Sequence, residues 1–363
     1  MALVTSAQVL IAGASFGGLA AARALGHPAL LVDRAPLGDG QTSACAAPAG
    51  LVARMGASGA IQQMHDHLLI GVGDDRVTWP LPEPFCTFDY AAYCRLAATG
   101  LPVTFLQAAV REVNGRRVRT SAGEILADLV VDATGPRSTL GGAVRRGRRL
   151  AFGLETEIPA PEGKGLQFYF LPEVRDGYAW AFPCGPVTRF GVLSYLNATK
   201  LLPALRRFLR RFGLEAGPLH GGYLATGLRP AVRERLFVVG DAAGQCLPLT
   251  GEGIRTAILA GEACGALLRG VLEGRWSQEE AAARYRAVVA RERRRYRALL
   301  WGNVAALLLP RPLLRWLARG MTRPGVLAAF FKHYMRILAS SAQTPEFLMA
   351  SRRSGSETSS GLQ

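Results

Sequence analysis

The chain has 363 residues, 49% hydrophobic and 19% charged, which is enough for one large or two ordinary domains with a substantial interior. Its net charge of +16 is almost wholly arginine, since lysine stands only at Lys164, Lys200 and Lys332. A basic surface attracts anionic lipid, phosphorylated substrate or nucleic acid. No helix-turn-helix, zinc or RNA-binding signature supports the last, so nucleic acid is not expected as a partner. The cysteines (Cys45, Cys86, Cys94, Cys184, Cys246, Cys264) are scattered with no C-x-x-C pair, which argues against a disulfide framework or a metal site and for a reducing compartment. A strand begins within a few residues of Met1, so no signal peptide is expected. No run reaches the ~20 apolar residues of a spanning helix. The expected location is cytoplasmic, and the chain is read as a monomer.

Residues 8–12 (QVLIA) read as a buried strand, followed by Gly13-Ala14-Ser15-Phe16-Gly17-Gly18 and the helical LAAARALG. Residues 30–32 form a second strand ending at Asp33, with Arg34 beyond it. Strand, glycine turn, helix, strand and acidic residue in this order are the context a dinucleotide fingerprint requires. Gly13 permits the tight turn, Ser15 stands where the second glycine is usual, Gly17 and Gly18 allow close approach, and Asp33 is placed to accept hydrogen bonds from a ribose. Residues 38–50 (GDGQTSACAAPAG) read as a small-residue loop without periodicity, carrying Cys45 and Ala46. Among alanines, that cysteine reads first as a small hydrophobe. His65-Asp66-His67 is read as a surface group rather than a metal site.

Residues 88–99 predict a helix. Three short strands follow at 103–105, 110–113 and 117–120, with Asn114-Gly115 as a hairpin signal. DLVVDATG (128–135) is another buried strand. From 150 to 196 alternating strands and Pro/Gly turns predict an antiparallel sheet, hence a second domain inserted in the first. Residues 201–212 form an amphipathic basic helix.

The chain then returns to its organising stretch, 236–265: a strand, Gly240-Asp241, a turn containing Pro248, Gly251-Glu252-Gly253, and from Ile254 a helix rich in small residues. Asp241 suits a hydroxyl donor at a strand end. Gly251 and Gly253 leave bare N–H groups at a helix start, where the dipole favours negative charge. Residues 277–297 predict a helix capped by Ser277. Residues 298–338 are apolar clusters with interspersed arginine, broken by Pro310, Pro312 and Pro324. They are read as a helical lid over the core or an apolar tunnel, or as a peripheral membrane contact.

GASFGG, DLVVDATG and GDAAGQCLPLTGEGI together resemble the FAD-dependent geranylgeranyl reductase family, within the para-hydroxybenzoate hydroxylase-fold flavoproteins. Tyr178-Ala-Trp180-Ala-Phe182-Pro183, followed by Gly191, resembles the Y-x-W-x-F-P…G-x-G signature of the family's isoprenoid pocket, with Leu193 in place of its last glycine. On a strand these aromatics share one face, which makes either ordinary sheet core or a wall for a long apolar substrate. Cys45 holds the position of the family's flavin-proximal cysteine and is the candidate catalytic residue, on the resemblance only.

The resemblance implies an α/β protein: a discontinuous Rossmann-like FAD-binding domain (1–75, 105–149, 227–275) with a substrate-side segment (76–104). The residue pattern adds an inserted antiparallel sheet for substrate (150–226), C-terminal helices (276–345) and a disordered tail (346–363). FAD would be the cofactor, reduced transiently by NAD(P)H or a protein donor, and C=C bonds of a lipophilic polyprenyl or terpenoid substrate would be reduced. The alternatives are a flavin monooxygenase or epoxidase, a flavin-dependent non-redox cyclase using Glu155, Glu157 or Glu252 as acid, and a flavin-free lipid-binding protein.

Overall fold

The computed structural model describes residues 5–138, 140, 150–160, 163–174, 176–196 and 198–339. The disordered tail expected at 346–363 lies outside them. The chain opens as a βαβ unit: β1 (Thr5–Ala12), α1 (Phe16–Leu25) and β2 (Ala29–Asp33). β1 is central, paired in parallel with β2, and it buries Val9, Leu10, Ile11 and Ala12 on both faces. That two-sided burial is why this strand reads as a continuous apolar run instead of an alternating one.

The small-residue stretch at 38–50 is not wholly a loop. It contains β3 (Ala46–Pro48) and the start of α2 (Ala49–Arg54), because residues 46–48 pair with a later strand. β4 (Ile61–Val72) and β5 (Asp75–Phe88) then form a long hairpin that the sequence reading left unassigned. Pro80, Pro82 and Pro84 obscure it. The ladder skips from His67–Pro80 to His65–Phe85, so the prolines sit at or beside an irregularity that tolerates their missing N–H groups. His65 is buried, with Nε2 at 3.2 Å from Thr87 Oγ1, which corrects its reading as a surface group. Burial lowers its pKa to about 4. Among the described residues no cluster of His, Cys, Asp or Glu is arranged to hold a metal ion.

After α3 (Tyr90–Ala98) come β6 (Val103–Gln107), the hairpin β7 (Val110–Asn114) and β8 (Arg117–Thr120), and β9 (Gly123–Asp132). The sheet strands β10 (Leu150–Ile158), β11 (Leu166–Phe170), β12 (Gly177–Cys184) and β13 (Val187–Ser194) follow. Next are α4 (Leu202–Arg210), β14 (Leu219–Ala225), β15 (Val232–Arg233) and β16 (Leu236–Val238). The first sheet runs β15-β16-β9-β1-β2-β6, with β8 and β7 added beyond β9. The second runs β14-β10-β13-β12-β11-β4-β5-β3. β4 therefore pairs in the second sheet, whereas the sequence reading grouped residues 1–75 with the first. α4 covers one face of the second sheet by packing Leu205, Phe208 and Leu209 onto Phe190 and Val192.

A 3-10 turn (Gly240–Ala243) leads to α5 (Ile254–Leu272), which crosses α1 at close range. A Cβ on Gly261 would lie 2.3 Å from the Gly17 carbonyl oxygen, and one on Gly265 would lie 2.2 Å from that of Ala21. The small-residue stripe of α5 thus exists to bring two backbones together. The helix expected over 277–297 is two helices, α6 (Gln278–Arg291) and α7 (Arg293–Leu308). The break falls at Glu292, whose buried carboxylate turns inward to accept the N–H of Leu338 at 3.3 Å. Ser277 caps α6 as predicted, in a reciprocal capping box with Glu280. α8 (Arg311–Gly320) and α9 (Pro324–Met335) are the last helices among the described residues, each begun at or beside a proline. Among the described residues no helix is long and apolar enough to cross a membrane.

Candidate active site

The glycine turn after β1 is built by exclusion. Gly13 has φ +107°, and a Cβ there would lie 2.3 Å from the Ala133 oxygen, while one on Gly18 would strike the Gly13 oxygen at 1.8 Å. No other residue fits either position. Ser15 stands as N-cap of α1 without a side-chain cap, and the first turn carries no acidic residue. The first N–H groups of the helix are therefore left for an anion, with the dipole adding roughly half a positive charge. Asp33 accepts the Ala14 N–H through Oδ2 at 2.7 Å and the Ala35 N–H through Oδ1 at 3.1 Å. It thereby fixes the turn, and each oxygen retains a lone pair for a hydroxyl. Arg34 beside it is exposed. Phe16 packs edge-on against Phe88 and Tyr90, and the Tyr90 hydroxyl donates to Ser15 Oγ at 3.0 Å, so α3 buttresses the turn.

The second terminus is that of α5. Its N-cap, Gly253, also lacks a side-chain cap, and Gly251 has φ +68° with no room for a Cβ, since the Tyr178 hydroxyl lies 2.8 Å from that position. That hydroxyl donates to the Thr250 carbonyl at 2.5 Å, tying the aromatic strand to the helix start. Asp241 sits between them in the 3-10 turn. Burial raises its carboxyl to about 7, against an N–H from Ala225 and the charge of Arg229, which both lower it. Gly240 donates its N–H to Gln245 Oε1 at 2.6 Å, and Pro248 is buried in the turn; both hold the loop's shape.

The start of α5 opens into a cavity of about 800 Å³, whose lining does not include the β1–α1 turn, Asp33 or Asp241. Gly251, Glu252, Gly253 and Ile254 line one end together with Cys45 and Ala46. Tyr178, Trp180 and Phe182 form a wall, all on one face of β12. Gly191 is what admits the largest of them. It lies opposite Trp180 in the β12–β13 register, and a Cβ there would fall 2.0 Å from the indole. Pro183 points the other way, and its carbonyl accepts from Thr87 Oγ1 at 2.7 Å. It is not part of the wall, nor does Gly191 contribute surface to it. α7, α8 and α9 also line the cavity, through Ala306, Leu314, Phe330 and Tyr334.

Cys45 is held at φ +53°, unusual for a residue with a side chain. The buried guanidinium of Arg189 secures its loop, donating to the Ala44 carbonyl at 3.1 Å, the Phe88 carbonyl at 3.0 Å and Gln62 Oε1 at 3.0 Å. Burial pushes the Cys45 thiol far up; Arg189 opposes this and Glu155 adds to it. The group is a neutral thiol against the cavity, not a thiolate nucleophile.

Two features went unread in the sequence. Glu252 is paired with Arg255 (Nε to Oε1, 2.8 Å) and accepts the Tyr334 hydroxyl at 2.5 Å, while Arg255 also donates to the Ile337 carbonyl at 3.1 Å. The end of α9 is thus latched to the start of α5. The second is His220, which faces Glu155 across β10 and β14 at 2.8 Å. The Glu252–Arg255 pair is local, but the contacts with α9 and the Glu155–His220 pair join residues more than sixty positions apart and have no local sequence signal.

No family model matches the chain. Over 122 residues it is 34% identical to a digeranylgeranylglycerophospholipid reductase from Methanococcus vannielii, covering 30% of this chain and 31% of that protein. The chain thus matches about a third of the relative's length. A solved geranylgeranyl bacteriochlorophyll reductase-like protein from Thermoplasma acidophilum superposes with a TM-score of 0.78, over 93% of this chain and 98% of that one, at 19% identity. The fold is geranylgeranyl reductase-like. That reductase-like fold is shared by a probable FAD-dependent monooxygenase from Pseudomonas aeruginosa, with a TM-score of 0.65 over 90% of this chain and 100% of that one, at 19% identity. The resemblance is thus present in sequence over about a third of the chain and in fold over most of it.

Proposed function

We propose that the chain is an FAD-dependent oxidoreductase that reduces C=C bonds of a polyprenyl or related terpenoid substrate. One observation carries the reading: the glycine terminus of α5 and the wall of Tyr178, Trp180 and Phe182 line a single apolar cavity. The residues fit FAD. Gly13, Ser15, Gly17, Gly18 and Asp33 would hold the ADP half, with α1's uncapped terminus toward the pyrophosphate. Asp241 would accept a ribityl hydroxyl, and the N–H groups at 251–254 would face the pyrimidine edge, where negative charge grows on reduction. When bound and reduced, FAD supplies hydride from N5. The chain's own contribution is to bind an apolar chain along the aromatic wall, orient one alkene and exclude water. Transient NAD(P)H or a protein donor would supply the electrons.

The C-terminal helices support a peripheral membrane contact. Trp316 is 66% exposed, Trp301 70% and Leu308 78%. α8 adds Arg311, Arg315 and Arg319 beside its apolar residues while also lining the cavity. Such a face suits anionic headgroups and would let a lipid enter from the bilayer. Sedimentation with anionic vesicles at low salt tests this, and absence of binding removes it.

The same fold carries a monooxygenase, so oxygenation is the second reading. The two separate in one assay. A purified yellow protein that turns over a polyprenyl substrate without O₂ uptake supports the reductase, whereas O₂ uptake matched by an oxygenated product supports the monooxygenase. A colourless protein that FAD does not reconstitute rejects both.

A further inference from the structure

We infer that Glu155 and His220 form a proton relay from solvent into the cavity, with Glu155 the acid that protonates one carbon of the alkene. The inference rests on the reductase reading. Its basis is a row of residues across the second sheet. In the registers of β14, β10, β13 and β12, His220 lies opposite Glu155, Glu155 opposite Gly191, and Gly191 opposite Trp180. Because Gly191 has no side chain, the Trp180 indole lies over it and its Nε1–H reaches Glu155 Oε2 at 2.7 Å. His220 Nε2 meets Glu155 Oε1 at 2.8 Å from the other side. One carboxyl is thus gripped by two ring nitrogens, and it lines the cavity.

The two partners differ in what they touch. The Glu155 side chain is 4% exposed, while that of His220 is 30% exposed. A carboxyl that merely ended an apolar wall would carry a desolvation cost with no need of a path to water. Here the buried acid has one neighbour that reaches solvent and one that presents it to the pocket. This arrangement suits the reduction of an alkene, since hydride transfer to one carbon must be matched by a proton at the other, and a carboxyl on the cavity wall with a path to solvent can supply it repeatedly.

The step balances as follows. The O–H bond of Glu155 breaks and a C–H bond forms at one alkene carbon. The hydride for the neighbouring carbon would come from reduced FAD as the two-electron donor. Glu155 is left as the carboxylate, and His220 returns a proton to it across the 2.8 Å contact and is reloaded from solvent.

The test pairs ligand binding with turnover. Geranylgeraniol and geranylgeranylamine are titrated against the FAD-loaded protein by tryptophan fluorescence. The ammonium of the amine mimics the positive charge that develops as the alkene is protonated. With Glu155 facing the ligand, the amine binds about ten-fold or more tighter than the alcohol, as one charge-assisted hydrogen bond supplies. In Glu155→Gln that preference disappears, kcat for alkene reduction falls by about 10²-fold or more with KM little changed, and the alcohol still binds. His220→Gln keeps the binding preference and lowers kcat by a smaller factor. Equal binding of amine and alcohol to the wild type overturns the relay while leaving the reductase reading intact, and it needs no variant to fold. Retention of kcat in Glu155→Gln overturns it likewise. Failure of the wild type to bind either prenyl compound overturns the reductase reading, and the relay with it.

Discussion

Replacing Gly261 by alanine tests whether the close crossing of α1 and α5 builds the cofactor cradle. The new methyl would lie 2.3 Å from the Gly17 carbonyl oxygen and 3.0 Å from Ala20 Cβ. Ordinary contact begins near 3.4 Å, so the helices must part by about 1 Å, and the obstacle is backbone that no rotamer change removes. Alanine gains roughly 1 kcal/mol in helix propensity, and overpacking costs about 1–3 kcal/mol or more. With backbone as the obstacle, a net loss of about 2 kcal/mol is expected, lowering Tm by roughly 3 °C in a chain of this length. The displacement falls on Gly17, inside the turn that leaves α1's N–H groups free, so FAD retention should fall as well. Calorimetry and flavin content on a desalting column measure both. Gly325→Ala is the control, since nothing lies within 4 Å of a Cβ there; it should be neutral or slightly stabilising. A Gly261→Ala protein that melts at or above the wild type and keeps its flavin would refute the reasoning.

Other expectations follow from single residues. The Asp241 carboxyl moves from 3.8 to about 7 on folding, so the folded state holds a proton that the unfolded state releases in between. This stability is fully present below about pH 3.8 and is lost as pH rises to about 7, by roughly 4 kcal/mol. Chemical denaturation of the FAD-free protein across that window should show the loss, and Asp241→Asn should flatten it. Cys45 is a buried neutral thiol, so iodoacetamide at pH 8 should leave it unlabelled in the folded protein and Cys45→Ala should keep most activity. Rapid labelling, or abolished turnover in the alanine variant, would make it a participant in the chemistry. Arg255→Met strands Glu252 against Tyr334 and frees the carbonyls of residues 335 and 337. It should cost about 3–5 kcal/mol and expose the end of α9 to protease, and an unchanged digestion pattern would count against the latch.

Much of this was legible in the residues because it depends on neighbours in sequence. Gly13, Gly18 and Asp33 announce their turn, Ser277 announces its helix, and Tyr178, Trp180 and Phe182 share a face because strands alternate. What was hidden depends on distant partners or on residues that mislead locally. Pro80, Pro82 and Pro84 speak against a strand, and only the irregular ladder with β4 makes room for them. Nothing in the local run around Glu292 marks a break, yet its carboxylate is drawn inward by Leu338 and splits the helix. Gly191 reads as a motif position, and its reason, space for the Trp180 indole, appears only when two strands are paired. Glu155 was weighed only as an acid for a non-redox cyclase, and His220 is what gives it a route to solvent.

The most direct test of the central claim is anaerobic. The purified protein, loaded with FAD, is reduced to bleach the flavin and then mixed with a geranylgeranyl substrate under argon while the visible spectrum is followed. The account predicts that the oxidised flavin spectrum returns at once, with one C=C bond lost per flavin reoxidised. A flavin that stays reduced until O₂ is admitted, with oxygen then found in the product, would contradict it.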